Sequence, residues 1–383
     1  MKIIIIGADG YLGWPTAMML SKKGHEVCVT DNFSKRRIEM GEGVEPLWAI
    51  STLQYRVKKW KELTGLDMNI EIGDMVNEKF VYDLLDKYKP DAIVHYGEQP
   101  SAPYSMQGLS TASFTMSNNV IGNLNLLFAI KAKCPDAHLI KLGTMGEYGT
   151  PNIDIEEGYL DIEHNGRKDT VLFPKKPYSF YHLSKVHDSN NIYFVCKTWG
   201  LRATDLNQGF VYGIDTEETL IDPDLNTSFH YDDVFGTVLN RFCVQAVCNI
   251  PLTIYGAGSQ TRACLNIRDT LQCVDLAIKN PANKGEYKVL NQFTESFSIL
   301  ELAEKVSNAA TNLGLNVKIQ NIENPRTEQE DHYYNPVNKN LLDMGLSPIN
   351  LSDGILEDMI KKITFEKDSI NKDLILPKIK WKQ

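Results

Sequence analysis

The chain has 383 residues, 43% hydrophobic and 23% charged. This composition excludes disordered, collagen-like and membrane-embedded classes, and the length points to roughly two domains with a sizeable core. Lys and Arg number 40 against 49 Asp and Glu, a net charge of −9 that argues against partners such as nucleic acid or an anionic membrane. An anionic small molecule stays compatible with a local basic pocket.

No stretch reaches the roughly 18 apolar residues of a membrane span, so no membrane insertion is expected. Met1-Lys-Ile-Ile-Ile-Ile-Gly7 reads as a buried strand rather than a signal core, because it is short and runs into glycines. The seven cysteines are odd in number, scattered and without a Cys-x-x-Cys pair. They read as reduced thiols of a cytoplasmic protein, with no metal site.

Apolar runs at Ile3–Ile6, Glu26–Thr30, Asn69–Ile72, Ala92–His95, His138–Leu142 and Arg202–Leu206 predict parallel strands buried on both faces. Helical patterns lie between them at Leu12–Lys23, Phe80–Lys87, Ser110–Lys133 and Phe180–Trp199. The alternation predicts an α/β fold with a Rossmann-like, doubly wound parallel sheet. In the long connection from Asn32 to Asp67, the stretch Leu47–Trp60 has helical spacing and predicts an extra helix. After Gly213, the acidic and irregular Asp215–Asp233 suits a lid or substrate loop. Helices follow at Val234–Val247 and Ser298–Leu313, then a polar stretch, Asn321–Asn340, carrying Arg326, His332, Tyr333 and Tyr334. The expected organisation is a cofactor domain over 1–213, to which parts of 235–290 return. A smaller, discontinuous C-terminal substrate-binding lobe comes from 214–234 and 291–383, with the cleft between the two.

Gly7-Ala-Asp-Gly10-Tyr-Leu-Gly13 sits where a strand turns into a helix. Glycines there let the backbone approach a pyrophosphate, and the helix N-terminus supplies N–H donors. Asp31 ends strand two, placed to accept hydrogen bonds from ribose hydroxyls and to repel a 2′-phosphate. This favours NAD over NADP, although Lys35-Arg36-Arg37 nearby offers cations that suit a phosphate. Asp74, after strand three, suits either the adenine amine or a helix N-cap. Gly97-Glu98-Gln99 follows strand four at the ligand-binding edge. The expected cofactor set also includes Asp9, Tyr11, Asn32, Arg36, Met75, Gly97, Gln99 and Asn119.

Tyr181 and Lys185 are four apart and share a helix face. A nearby ammonium favours the phenolate, which can take a proton from a sugar hydroxyl while hydride leaves to NAD. Lys185 also suits the nicotinamide ribose, and Thr144, after strand five, suits the same substrate oxygen.

On these residues the chain resembles the extended short-chain dehydrogenases/reductases, which include nucleotide-sugar epimerases and dehydratases. Within them it is similar to the UDP-sulfoquinovose synthase family. The likeness is carried by Gly97-Glu98-Gln99 with Ser101-Ala-Pro-Tyr-Ser-Met106, Leu142–Gly158, Phe180–Asp188, Ala203–Gly209, Asn291–Thr294 and Trp381-Lys382. The resemblance implies UDP-glucose and sulfite as substrates and an NAD regenerated in each cycle. The implied steps are C4 oxidation, loss of water across C5–C6, sulfite addition at C6 and C4 re-reduction. It also implies a homodimer paired through Ser110–Lys133 and Phe180–Trp199.

Related 4,6-dehydratases carry Thr-Asp-Glu where this chain has Thr144-Met145-Gly146. Glu147, one position later, is therefore the candidate for elimination chemistry; the alternative is a carboxylate bonding backbone N–H groups. Met145 suits the C6 end of the sugar or the core. His182 suits a proton shuttle, a sulfite contact or a scaffold role. By matching the superfamily pattern, Asn207, Arg262 and Arg326 are expected to hold the diphosphate. Gln99, Thr144, Gln208, Thr227, Tyr255 and Gln260 complete the expected substrate set. Pro100 departs from the arginine that plant and cyanobacterial members carry there, which removes an anion contact. The rival readings are a UDP-sugar 4-epimerase or 4,6-dehydratase, and a non-catalytic NAD-binding regulator. Such regulators often lose the Tyr or Lys retained here.

Overall fold

Four consecutive isoleucines, Ile3–Ile6, fill strand β1 (Lys2–Ile6) and are buried on both faces, as a central parallel strand requires. The computed structural model describes residues 1–324 and 332–376. Six further strands join β1: β2 (Glu26–Asp31), β3 (Asn69–Ile72), β4 (Ala92–His95), β5 (His138–Thr144), β6 (Arg202–Gln208) and β7 (Tyr287–Gln292). The sheet order is β7-β6-β5-β4-β1-β2-β3, with every pairing parallel. The strand order reverses between β1 and β4, so a crevice opens there at the carboxyl edge.

β7 has no counterpart among the predicted strands. Lys288, Asn291 and Gln292 break its apolar run, and only pairing with β6 in register Tyr287↔Ala203 defines it. The extra helix of the long connection runs Leu53–Thr64, later than its spacing suggested, because Thr52 accepts a hydrogen bond from Tyr55 N and starts it there. The predicted Ser110–Lys133 helix is interrupted. Leu109–Met116 and Gly122–Lys133 flank a π-helical turn at Ser117–Ile121. A polar hairpin, Tyr159–His164 with Arg167–Leu172, escaped the reading. Its Asn165-Gly166 turn, with both φ values positive, is a recognisable hairpin signal.

The second lobe packs three helices, Val238–Val247, Ile299–Asn312 and Asp353–Phe365, on one core that includes Phe242, Val306 and Ile360. Ile38, Val44 and Leu47 from the first half of the chain join that core. The segment that returns to the main sheet begins with Ile267–Lys279, which packs beside Ala17 and Met18 of the first helix, Gly13–Lys22. The 215–233 segment is irregular but pinned. Trp48 Nε1 donates to Thr227 O at 3.0 Å and stacks on Phe229, while Thr227 Oγ1 donates to Tyr11 O at 2.7 Å.

Candidate active site

A cavity of about 500 Å³ lies at the switch point between the lobes. One end is built by the glycine turn. A Cβ on Gly13 would sit 2.2 Å from Gly7 O, and one on Gly7 only 2.6 Å from the Tyr96 carbonyl carbon, so strand, turn and helix close up only with glycine. Gly10 faces the cavity, where a Cβ would meet Gly7 O at 3.4 Å and intrude on the space beside it.

Asp31, Asn32, Tyr11, Met75 and Gly97 line this end as well. Asp31 accepts from Asp9 N at 2.8 Å and Phe33 N at 2.7 Å. Burial, then the neighbouring Asp9 charge, push its carboxyl up to about 6. Incoming hydroxyl donors would favour its charged form. The basic run is engaged by neighbouring acceptors, with Lys35 also lining the cavity and Arg37 exposed. Lys35 pairs with Glu39 and His230, Arg36 forks onto Asp9 at 2.6 and 2.9 Å, and Arg37 donates to Asn32 O at 2.6 Å. Those cations are thereby drawn to internal acceptors, which fits NAD at a ribose held by Asp31.

Several expected cofactor contacts are instead fasteners. Asp9 and Arg36 form an ion-pair cluster with buried Arg56 that braces the turn from behind. Asp74 accepts from Asn32 Nδ2 and Val76 N, whereas Asn77 caps the following helix, Glu78–Tyr88. The Gln99 side chain bonds Ser101 and Thr115, and Asn119 bonds Gln99 N, Gln99 O and Ser184. These five side chains are engaged within the fold and do not line the cavity.

The other end carries residues of the expected catalytic set. Ser179 Oγ caps the helix Phe180–Trp199 by accepting from His182 N at 3.1 Å. Tyr181 and His182 thereby enter the first turn facing the cavity, beside Thr144, Met145 and Gly146. Lys185 follows one turn later. Its Nζ donates to Leu142 O at 2.7 Å, lies 2.7 Å from Glu98 Oε2 and 5.9 Å from the Tyr181 ring centre. Burial raises the Tyr181 phenol above its usual value, and the Lys185 charge acts against that.

Glu147 takes the structural alternative: its Oε1 accepts from Thr144 N at 3.4 Å. It is fully buried behind the β5 loop and faces away from the cavity. Lys141 lies at 3.4 Å, Lys175 pairs with it, and Ser189 Oγ donates at 2.9 Å. Burial opposes its charge, but Lys141 and then Lys175 win and hold it down at about 2. A carboxylate so paired is a structural anion, not an acid poised to give a proton. Met145 lines the cavity and also packs with Tyr148, Phe173 and Phe293.

Of the expected substrate contacts, Gln208 and Arg262 line the cavity. Asn207 does not; its Nδ2 donates to Tyr148 OH at 2.6 Å beneath the sheet edge. Thr227 holds the glycine turn, Gln260 Nε2 donates to Tyr255 O, and Tyr255 OH accepts from Arg241. These four do not line the cavity. Arg326 lies outside the described residues. Arg241 was missed. It lines the cavity, nearly buried, with its guanidinium over the Tyr255 ring. Nothing in its local sequence, Leu239-Asn-Arg-Phe242, separates it from a surface arginine. Lys141 and Asp205, also missed, did leave a signal: each is a charge inside a predicted buried strand, and they are register partners.

Residues 3–291 match the model of the NAD dependent epimerase/dehydratase family. The chain belongs to that family. It is 52% identical, over its whole length and 79% of the relative, to the chloroplastic UDP-sulfoquinovose synthase of Spinacia oleracea. It is 44% identical, over its whole length and 98% of the relative, to the UDP-sulfoquinovose synthase of Sulfolobus acidocaldarius. Among solved structures, a UDP-glucose 4-epimerase of Thermotoga maritima with UDP-glucose superposes with TM-score 0.70 at 17% identity, covering 96% of this chain and 99% of that one. That likeness bears on the fold. The family's cofactor is NAD, and Gly7, Gly10, Gly13 and Asp31 line the end of the cavity that would hold it.

Proposed function

We propose that this enzyme converts UDP-glucose and sulfite into UDP-sulfoquinovose and water. The observation that carries the reading is the cavity wall of Thr144, Met145, Gly146, Tyr181 and His182, from which Glu147 is turned away. It keeps the tyrosine–lysine pair of a sugar oxidase but lacks the loop carboxylates of a 4,6-dehydratase. The two relatives that match along the whole chain carry the same assignment in their names.

NAD, when bound, takes the C4 hydride of the sugar and later returns it. Tyr181 takes the O4 proton and gives it back at the end of the cycle, while Thr144 orients the same oxygen. Lys185 sets the proton affinity of Tyr181. His182, which lines the cavity beside Tyr181, serves the C6 leaving group. Its Nδ1 is hydrogen-bonded to Ser179 Oγ at 3.0 Å, which fixes the ring. Arg241 and Arg262 meet the diphosphate, since guanidinium forks match phosphate oxygens.

The test is incubation with UDP-glucose, with and without sulfite, followed by mass spectrometry. A sulfosugar nucleotide is expected only when sulfite is present. UDP-galactose alone, or a 4-keto-6-deoxy sugar as the end product, would mean the reading is wrong.

We also propose a homodimer. Ile121, Phe128, Phe180 and Phe194 are exposed on or beside the two long helices, and Phe128 meets Trp199 at 4.9 Å. Apolar surface of this kind supports an isologous helix–helix contact. Phe194→Glu is expected to weaken association by more than about tenfold in analytical ultracentrifugation; a monomeric wild-type chain would rule the dimer out. A cytoplasmic setting is proposed as well. All seven cysteines are free and buried, which suits a reducing compartment, and cell fractionation tests it. Among the described residues no helix is long and apolar enough to cross a membrane.

A further inference from the structure

Lys185 is usually considered for what it does to Tyr181. Here it has a second neighbour of opposite effect. Glu98 follows β4, has a side chain only 2% exposed, and brings Oε2 to 2.7 Å from Lys185 Nζ. A buried carboxylate at this distance from a buried ammonium offsets most of its field. The groups facing Glu98 come from three elements. His95 closes β4, 3.7 Å from Oε1, and burial pushes its imidazole down to about 4, so it is neutral. Lys141 approaches from β5 but is held by Asp205, Glu147 and Ser189. Asp188 lies on the same helix as Lys185, one turn on. Burial and the Glu98 charge drive it strongly toward its protonated form, and Asn123 Nδ2 donates to its Oδ1 at 3.2 Å.

We propose that Glu98 is a positioning residue that anchors the Lys185 ammonium and offsets its charge, so that Tyr181 keeps its proton in the unliganded site and ionises when an oxidised nicotinamide supplies the missing positive charge. The geometry carries this. Two Lys185 donors are used, one on Leu142 O and one toward Glu98, which fixes Nζ below the tyrosine ring and leaves the third for a ligand hydroxyl. Positive charge at Lys185 lowers the Tyr181 proton affinity and negative charge at Glu98 opposes it, with smaller contributions from Glu147, which raises it, and Lys141, which lowers it. The site thereby avoids carrying a buried phenolate before there is anything to deprotonate. The inference rests on Tyr181 as the base; it does not depend on which sugar product is made.

The test reads Tyr181 directly. The ultraviolet phenolate titration of each protein is recorded as a difference from its Tyr181→Phe counterpart, first without cofactor and then with NAD. In the unliganded protein Glu98→Gln is expected to lower the Tyr181 midpoint by about one pH unit. Glu98→Asp, which keeps the charge at a greater distance, should shift it the same way by less. Asp188→Asn replaces one neutral group by another and should leave it in place. Glu98→Gln with Asp188→Asn should give the largest shift, because Asp188 can no longer ionise to take over from Glu98. The acid limb of the rate profile should move with the midpoint. An unmoved midpoint in Glu98→Gln, or an equal shift in Asp188→Asn alone, overturns the proposal. If Glu98→Gln does not fold, Glu98→Asp decides by the same sign. Failure of the proposed function would show instead as a wrong product with these titrations intact.

Discussion

Tyr181→Phe is expected to lower turnover by about 10²- to 10⁴-fold while the purified protein retains its NAD. The substitution removes one oxygen from the first turn of the helix Phe180–Trp199 and leaves its ring. Ser179 still caps that helix through the His182 amide, and Lys185 still bonds Leu142 O, so the frame stays. Nothing at the Gly7–Gly13 turn or Asp31 touches Tyr181, and these two supply the other end of the cofactor site. What is lost is the acceptor for the O4 proton, without which hydride loss from C4 would have to produce a protonated carbonyl. Two measurements check it: released NAD per chain, and single-turnover absorbance of reduced cofactor after mixing with UDP-glucose. Full activity in the variant refutes the assigned role. Loss of NAD together with activity would show that Tyr181 holds the cofactor rather than serving as the base.

What could be read from the sequence follows from how local each signal is. The Gly7–Gly13 turn and the Tyr181–Lys185 pair are set by spacing along a few residues; Gly7, Gly10, Gly13 and Tyr181 line the cavity, while Lys185 is buried beside Tyr181. Whereas β3 lies at the sheet edge and is exposed or half-buried throughout, β1, β2, β4 and β5 were legible because strands buried on both faces are near-continuous apolar runs. β7 was not, because its polar residues are satisfied only by partners distant in sequence; Asn291 Nδ2, for example, donates to Val337 O at 2.8 Å. The same physics separates the polar residues that face the cavity from those that do not. Asn207, Gln99 and Asn119 sit in motifs that look like ligand contacts, yet each is bonded to a group brought near by the fold. Whether a side chain meets a ligand or a neighbour depends on which other strand passes behind it, and one strand's sequence does not contain that. Arg241 is the converse: a cavity arginine with no local mark. Lys141 shows what was available and unused. A lysine in the middle of an apolar parallel strand must find a counter-charge on the next one, and Asp205 is its register partner.

Glu147→Gln is expected to cost about 3–5 kcal/mol of stability at neutral pH, because it leaves a buried ammonium without its partner. Lys141 is 1% exposed and has Glu147 and Asp205 each at 3.4 Å. Gln keeps the shape and the Ser189 contact but removes the charge, so Lys141 is left with Asp205 and Lys175 loses its carboxylate partner. The pH dependence has a definite sign. The Glu147 carboxyl falls from its ordinary 4.5 to about 2 on folding, so its ionised form favours the folded state. That contribution is fully present above about pH 4.5 and is lost as pH falls toward 2. Urea unfolding should therefore show a wide gap between wild type and variant near pH 7 that narrows steadily below pH 4.5. An elimination acid predicts the reverse pattern: unchanged unfolding midpoints, with turnover lost at the C5–C6 step and oxidised C4 intermediate accumulating. A variant as stable as wild type but blocked at that step would return Glu147 to the chemistry. A variant destabilised at pH 7, whose surviving folded fraction still makes product, would leave it where the ion pairs put it: the counter-charge that lets Lys141 cross the sheet beneath Tyr181 and Lys185.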